Sequence, residues 1–188
     1  MRFTRLFPGA MLMLAAVAVV HAQNPQNRQT PQKPQTPPAS QTAEDAAQPE
    51  ASFVATAHAD GEAEIALADL AATRSQSAGV KALASKIKSD HQQAGEQLKQ
   101  LAAQKNVTLS STLSPAHKNT MNRLGKLSGA AFDRAYVSAM VTDHQKAIAE
   151  FTKTGKGADA DIKAFAARTL PALREHLRHA QELQKKGK

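Results

Sequence analysis

One stretch of the sequence occurs twice, and both copies have the periodicity of an amphipathic helix. Residues 83-98 and 136-151 align without a gap, and apolar side chains recur in both at steps of three and four. The copies share the pairs Ser85/Ser138, Asp90/Asp143, His91/His144, Gln92/Gln145 and Ala94/Ala147. The sequence therefore predicts two helices that carry the same Asp-His pair at the same height on a core-facing side.

The rest of the domain has the same helical periodicity, and we find no strand pattern. Ser114 followed by Pro115 is a typical helix start, because the hydroxyl caps the first turn and proline suits its first position. Gly155 and Gly157 are expected to end a long helix. We predict helices at about residues 51-73, 77-104, 115-126, 130-154 and 158-184. The expected fold is all-α, a four-helix up-down bundle with an extra short helix between the second and third long helices.

The first part of the chain is predicted to lie outside this bundle. Residues 1-22 have the pattern of a cleaved signal peptide, with Arg2 and Arg5 before an apolar run and small residues near Ala22. This apolar run is too short to span a bilayer, and no other run is longer, so we expect no transmembrane segment in the mature chain. We therefore predict a periplasmic or secreted protein.

Residues 23-49 are rich in proline and glutamine, and we interpret them as a disordered linker. The default role of the linker is a plain spacer; contact with an envelope partner is the alternative. The bundle domain is predicted to cover residues 50-188. The chain contains no cysteine, which excludes disulfides and thiolate metal ligands. An exported protein without disulfides must be held by its core.

The formal net charge of +8 raises the question of nucleic-acid binding. The basic residues are scattered along the helices with acidic residues between them, and we find no basic stripe with interleaved aromatic residues. We therefore expect no nucleic-acid partner. The oligomeric state does not follow from the sequence.

Each long helix carries one candidate metal ligand near its midpoint on the core-facing side. These residues are Glu64, His91, His144 and His176. Midpoints of neighbouring antiparallel helices lie at similar depth, so the four side chains are predicted to meet in one layer. Imidazole and carboxylate ligands suit a divalent transition metal such as Zn, Cu, Fe, Ni or Mn. A metal-free hydrogen-bonded layer is the alternative, since either arrangement offsets the cost of burying these groups.

Asp90 and Asp143 precede two of these histidines. Neighbours in a helix point about 100° apart, so neither Asp easily serves its own His. Either could accept a hydrogen bond from a histidine of an adjacent helix, through the ring nitrogen that does not bind metal, as metal-bound imidazoles usually require. Pairing with Lys86 or Arg178 at the rim is an equal alternative.

The chain resembles the family of exported bacterial proteins known as domain of unknown function 4142. The residues that carry the resemblance are Glu64-Ile65, Asp90-His91, Leu127-Ser128-Gly129, Phe132-Asp133, Tyr136, Met140, Asp143-His144, Leu170-Pro171 and His176. The resemblance covers about residues 51-184 and implies a ferritin-like fold, but it brings no established reaction.

Di-iron proteins of ferritin-like fold carry a Glu-x-x-His motif on two helices. This chain has none at its three core histidines, so a mononuclear site is the more natural prediction. Nothing in the sequence indicates an open coordination position or a substrate path, and an enzyme is therefore not favoured. We expect either metal binding linked to envelope stress, or a non-catalytic envelope interaction module with a metal-free polar layer.

Overall fold

A computed structural model describes residues 39–157 and 159–187, and all regular structure in these ranges is helical. The helices are α1 (Ala39–Arg74), α2 (Ala78–Gln104), α3 (Pro115–Gly125), α4 (Gly129–Thr154) and α5 (Ala160–Lys186). The predicted all-α, ferritin-like bundle with an extra short helix is confirmed. Within the described ranges, no helix is both long and apolar enough to cross a membrane.

Local sequence signals set most of the helix ends. Ser77 and Ser114 cap α2 and α3 by accepting hydrogen bonds from the backbone N–H groups of Val80 and His117. Asp159 caps α5 in the same way, through two backbone N–H groups. The predicted Ser-Pro start of α3 and the glycine end of α4 are confirmed.

The first helix begins earlier than predicted, at Ala39 instead of near residue 51. Residues 39-49, which we expected to be part of a disordered linker, are helical and run through Pro49. Alanine, glutamine and glutamate dominate this stretch, and their helix propensity is high. Their preference for helix outweighs the effect of Pro49, the proline inside this helix. The predicted signal peptide and residues 23-38 lie outside the described residues.

The four long helices form two antiparallel hairpins, α1 with α2 and α4 with α5, which pack together through α2 against α5 and α1 against α4. The predicted up-down order holds within each hairpin. Between the hairpins, the segment that contains α3 returns the chain to the end of the bundle where α2 began. As a result, α2 and α4 point in the same direction, and one long crossover of this kind is typical of ferritin-like folds.

The core consists of two apolar clusters, one toward each end of the bundle. One cluster surrounds Leu83, Phe132 and Tyr136, while the other surrounds Phe53, Phe151 and Phe165. The three phenylalanine rings of the second cluster contact one another, with centroids 5.0 to 6.5 Å apart. Along all four long helices, a polar residue separates the two clusters: Glu64, His91, His144 and His176. The fold thus places a polar layer between two apolar cores.

Candidate metal centre

The polar layer is shielded from solvent. His144, His176 and Glu64 are 0%, 1% and 5% exposed, and the side chain of His91 is 13% exposed. His91, His144 and His176 each offer one ring nitrogen such that the three atoms lie within 4.8 Å of one another. Three long helices therefore bring together the three histidines that the sequence singles out, with Glu64 beside them.

His144 and His176 point ring nitrogens at each other. His144 Nε2 lies 3.1 Å from His176 Nδ1. The other ring nitrogen of His144, Nδ1, lies 3.0 Å from the carbonyl oxygen of Met140. The other ring nitrogen of His176, Nε2, lies 2.9 Å from Asp90 Oδ2. A carbonyl and a carboxylate only accept hydrogen bonds, so both of these outer nitrogens carry protons and donate.

The facing nitrogens of His144 and His176 need a positive charge between them. With their outer nitrogens protonated, two neutral imidazoles would face each other with lone pairs at 3.1 Å, which is repulsive. A proton between them makes one ring an imidazolium, while a metal ion uses both lone pairs. The geometry therefore fits the two alternatives that the sequence left open, a metal site or a charged hydrogen-bonded layer.

Glu64 lies at the side of the layer formed by α1. Its Oε2 is 2.6 Å from His91 Nε2, and its Oε1 is 3.7 Å from His144 Nδ1. The His91 contact is short but not aligned as a hydrogen bond, and in the part of the chain that the structure describes neither of the two atoms has another hydrogen-bond partner. It is best described as a close, buried charge pair. Because Glu64 Oε2 and His91 Nε2 are not aligned with each other, both atoms could also turn toward a metal ion.

The pKa values reflect this crowding. Burial opposes ionisation of Glu64, but His91 and His144 outweigh it and lower the pKa of the carboxyl to about 2. Burial disfavours the imidazolium of His91, yet the negative charge of Glu64 outweighs it and raises the pKa of His91. Burial, together with His144 and His91, lowers the pKa of His176 to about 4. At neutral pH, His176 is therefore neutral and its Nδ1 has a free lone pair.

The donor set suits a divalent transition metal. Nitrogens bound tetrahedrally to one ion at about 2.0–2.1 Å lie about 3.4 Å apart. The cluster spans up to 4.8 Å, so the widest pair needs a closure of about 1.4 Å, which requires rotation of the side chains toward the ion. Met140 carbonyl and Asp90 already hold the outer N–H groups of two rings, as partners of metal-bound histidines usually do.

The two aspartates of the repeated pair occupy different surroundings. Asp90 of α2 bonds to His176 of α5 and also pairs with Lys86 at 2.6 Å, so it combines both roles that we considered. Asp143 lies in a crevice beside α3 with Asp60 and has no ion pair with any of the three clustered histidines within the described ranges. The face of α4 that carries Asp143 turns toward α1 and α3, away from the imidazoles.

A fourth histidine, His58, belongs to the interior. Helical spacing from Ala57 to Glu64 puts His58 off the core-facing stripe of α1 and so predicts that it faces solvent. In the structure it is only 6% exposed, and neither ring nitrogen has a hydrogen-bond partner among the described residues. Because α1 packs against α2, α3 and α4, its buried surface is wider than one stripe. The sequence signal for this wider surface is that Val54 and His58 directly follow Phe53 and Ala57 of the core-facing stripe.

Comparison with known proteins places the chain in a family. The family described as Domain of unknown function (DUF4142) matches residues 35–183. The chain belongs to this family. The crystal structure of a DUF305 fragment from Deinococcus radiodurans is similar, with a TM-score of 0.65 and 19% sequence identity over 73% of this chain and 96% of that one. At this identity the similarity concerns the fold alone. None of the curated proteins compared with the chain matches it.

Proposed function

We propose that this DUF4142 protein binds one divalent transition metal ion in the layer between its two apolar clusters. His91, His144 and His176 supply nitrogen ligands, and Glu64 supplies the carboxylate. The observation that carries the proposal is the 3.1 Å approach of His144 Nε2 and His176 Nδ1, whose outer nitrogens are held by Met140 and Asp90. The ion would provide the positive charge that these two nitrogens require.

The charge of the layer supports the same proposal. Glu64 stays ionised at neutral pH because its pKa is lowered to about 2, and without metal its buried charge is compensated mainly by His91 at 2.6 Å. A buried carboxylate is costly unless a cation or several donors compensate it. His176 is neutral at this pH, which leaves its lone pair available. A dication satisfies the carboxylate and the imidazoles together.

Metal titration tests the proposal. The full chain, treated with a chelator and desalted, would be titrated calorimetrically with Zn, Cu, Fe, Ni and Mn salts. The wild type should take up one ion of at least one of these metals. The variant with His91→Ala and His144→Ala should lose this uptake, whereas a matched variant with His117→Ala and His179→Ala, outside the cluster, should keep it. Uptake that is absent for all five metals, or equal in both variants, would rule the site out.

The alternative function is a non-catalytic interaction module, in which a proton instead of a metal ion lies between His144 and His176. It is favoured by the 2.6 Å pair of Glu64 and His91, which compensates charge without any ion. A thermal melt of His144→Leu separates the two. If the layer is metal-free, the substitution should be tolerated or stabilising with and without metal, because packed apolar residues often replace buried polar networks well. A Tm that falls relative to wild type only in the presence of metal excludes the alternative.

We further propose that the protein is exported and acts in the cell envelope, where it would bind or sequester metal under stress. The support is the sequence of residues 1-22, with its two arginines, apolar run and small residues near Ala22. Mass spectrometry of the protein recovered from the periplasm of its host tests this. The mature chain should begin at Gln23, and an uncleaved chain confined to the cytoplasm would contradict the proposal.

A further inference from the structure

A cavity of about 120 Å³ extends from the polar layer toward the phenylalanine cluster. Phe53, Phe151, Phe165, Leu98 and Leu173 form much of its apolar wall. Glu64, His91 and His58 border its polar side. An engineered cavity of about 150 Å³ is large enough to bind benzene. The space here has about four-fifths of that volume and suits a compact molecule of about five or six non-hydrogen atoms.

His58 gives this cavity an unused hydrogen-bonding group. Its side chain is 7% exposed, and among residues 39–157 and 159–187 both of its ring nitrogens lack a partner, which is costly for a buried imidazole. The nearest acidic atom is Glu62 Oε1, 4.0 Å from Nε2 and beyond hydrogen-bond range. A neutral imidazole offers one donor and one acceptor. A ligand with a hydroxyl or amino group would satisfy it.

Gly95 shows that the space is open. This residue of α2 is buried and lines the cavity, yet a Cβ built on it would have no atom within 4 Å. Glycine inside a helix is less favourable than alanine. Here its missing side chain leaves room in the cavity that His58 and the apolar wall also line.

The charges around the cavity select against anions. Asp60, Glu62, Glu64 and Glu150 border it, and within the described ranges no lysine or arginine does; His91 on the same wall is already paired with Glu64. A carboxylate ligand would be repelled by these groups, while an uncharged or cationic ligand would not.

We propose that the cavity is a binding site for a compact, mainly apolar molecule that carries one hydroxyl or amino group, with His58 as its hydrogen-bonding partner. The apolar body lies against Phe53, Phe151 and Phe165. This site does not depend on the proposed metal, because its wall and His58 are present without one.

Cyclopentanol and cyclopentylamine are suitable probes, with cyclopentanecarboxylate as the anionic control. Each would be titrated into the chelator-treated full chain, labelled with ¹⁵N, and the amide shift of Gly61 in the cavity wall would be followed. Cyclopentanol and cyclopentylamine should bind with a dissociation constant on the order of 1 mM, which suits a ligand of this size. The carboxylate should give no saturable shift. Absence of saturable binding by both of the other probes would overturn the proposal.

Two pairs of variants locate the binding. Gly95→Leu fills the cavity and should abolish binding while the protein stays folded, since leucine favours helix more than glycine does. Gly125→Leu, whose Cβ also meets open space but lies outside the cavity, should leave binding unchanged. His58→Phe keeps a ring of similar size and should weaken cyclopentanol binding about tenfold, with little change for cyclopentane. Equal binding to Gly95→Leu and wild type, or no effect of His58→Phe on cyclopentanol, would refute the assignment.

Because every titration is done without metal, failure here leaves the metal proposal standing. Conversely, a protein that takes up no metal can still bind cyclopentanol.

Discussion

Acidification should destabilise the metal-free protein through His176. Burial, with His144 and His91 nearby, lowers the pKa of this imidazole from 6.5 to about 4 in the folded state. The unfolded chain therefore binds a proton more readily than the folded one between these two pH values. The stability contributed by neutral His176 is fully present above pH 6.5 and is lost as the pH falls toward 4.

The size of this effect follows from the shift. A difference of about 2.5 pKa units corresponds to about 3 kcal/mol in total, of which about 2 kcal/mol is lost between pH 6.5 and 4.5. The acidic residues of the layer hardly interfere in this window. Glu64, with its pKa lowered to about 2, loses its contribution only as the pH falls from 4.5 toward 2. His91, whose pKa is raised, contributes stability below pH 6.5 that is lost at higher pH.

Urea unfolding of the chelator-treated chain at pH 6.5, 5.5 and 4.5 measures the effect. The free energy of unfolding should fall by about 2 kcal/mol across this range in the wild type. In His176→Leu the fall should be largely absent, while in His179→Leu, on the same helix but outside the cluster, it should persist. A flat wild-type profile, or the same fall in His176→Leu, would refute the reasoning about this residue.

Three further substitutions test the hydrogen bond between His176 and Asp90, the packing of Phe165 and the buried hydroxyl of Tyr136. Asp90→Asn should weaken metal binding about 10- to 100-fold, because it removes the charged hydrogen-bond acceptor of His176. Asp143→Asn, at the equivalent position of the repeat, should change the affinity little. Equal losses of affinity for the two variants in a calorimetric titration would contradict this role of Asp90. Phe165→Ala should cost about 3–5 kcal/mol in urea unfolding, since the ring is fully buried against two others, and a cost below 1 kcal/mol would contradict the packing described. Tyr136→Phe should be neutral or stabilising by about 1 kcal/mol in the same assay, because the buried hydroxyl has no hydrogen-bond partner among the described residues. A clear loss of stability would contradict this.

Helical periodicity was enough to predict the long helices of the bundle and the depth of the polar layer. Glu64 and His144 each occupy a position where an aliphatic side chain would continue the core-facing stripe, so the layer was visible in the sequence. Periodicity does not, however, specify the direction in which a helix runs through the bundle. The crossover that makes α2 and α4 point the same way could not be predicted from it.

The contacts between helices also could not be predicted from the sequence. Asp90 and Asp143 are equivalent in the repeat, and only the packing of α2 against α5 brings one of them to His176. His58 was missed because a single stripe underestimates how much of α1 is buried. In both cases the deciding information is which neighbours a helix has, and one sequence does not specify them.

X-ray absorption at the metal edge of the loaded, full-length protein tests the central claim most directly. We predict about three imidazole nitrogens and one carboxylate oxygen at about 2.0–2.2 Å, with the multiple scattering typical of histidine rings. The variant with His91→Ala and His144→Ala should show no metal edge above background after desalting, because it should not retain the ion. A first shell made only of oxygen, or one unchanged in this variant, would contradict coordination by the buried histidines.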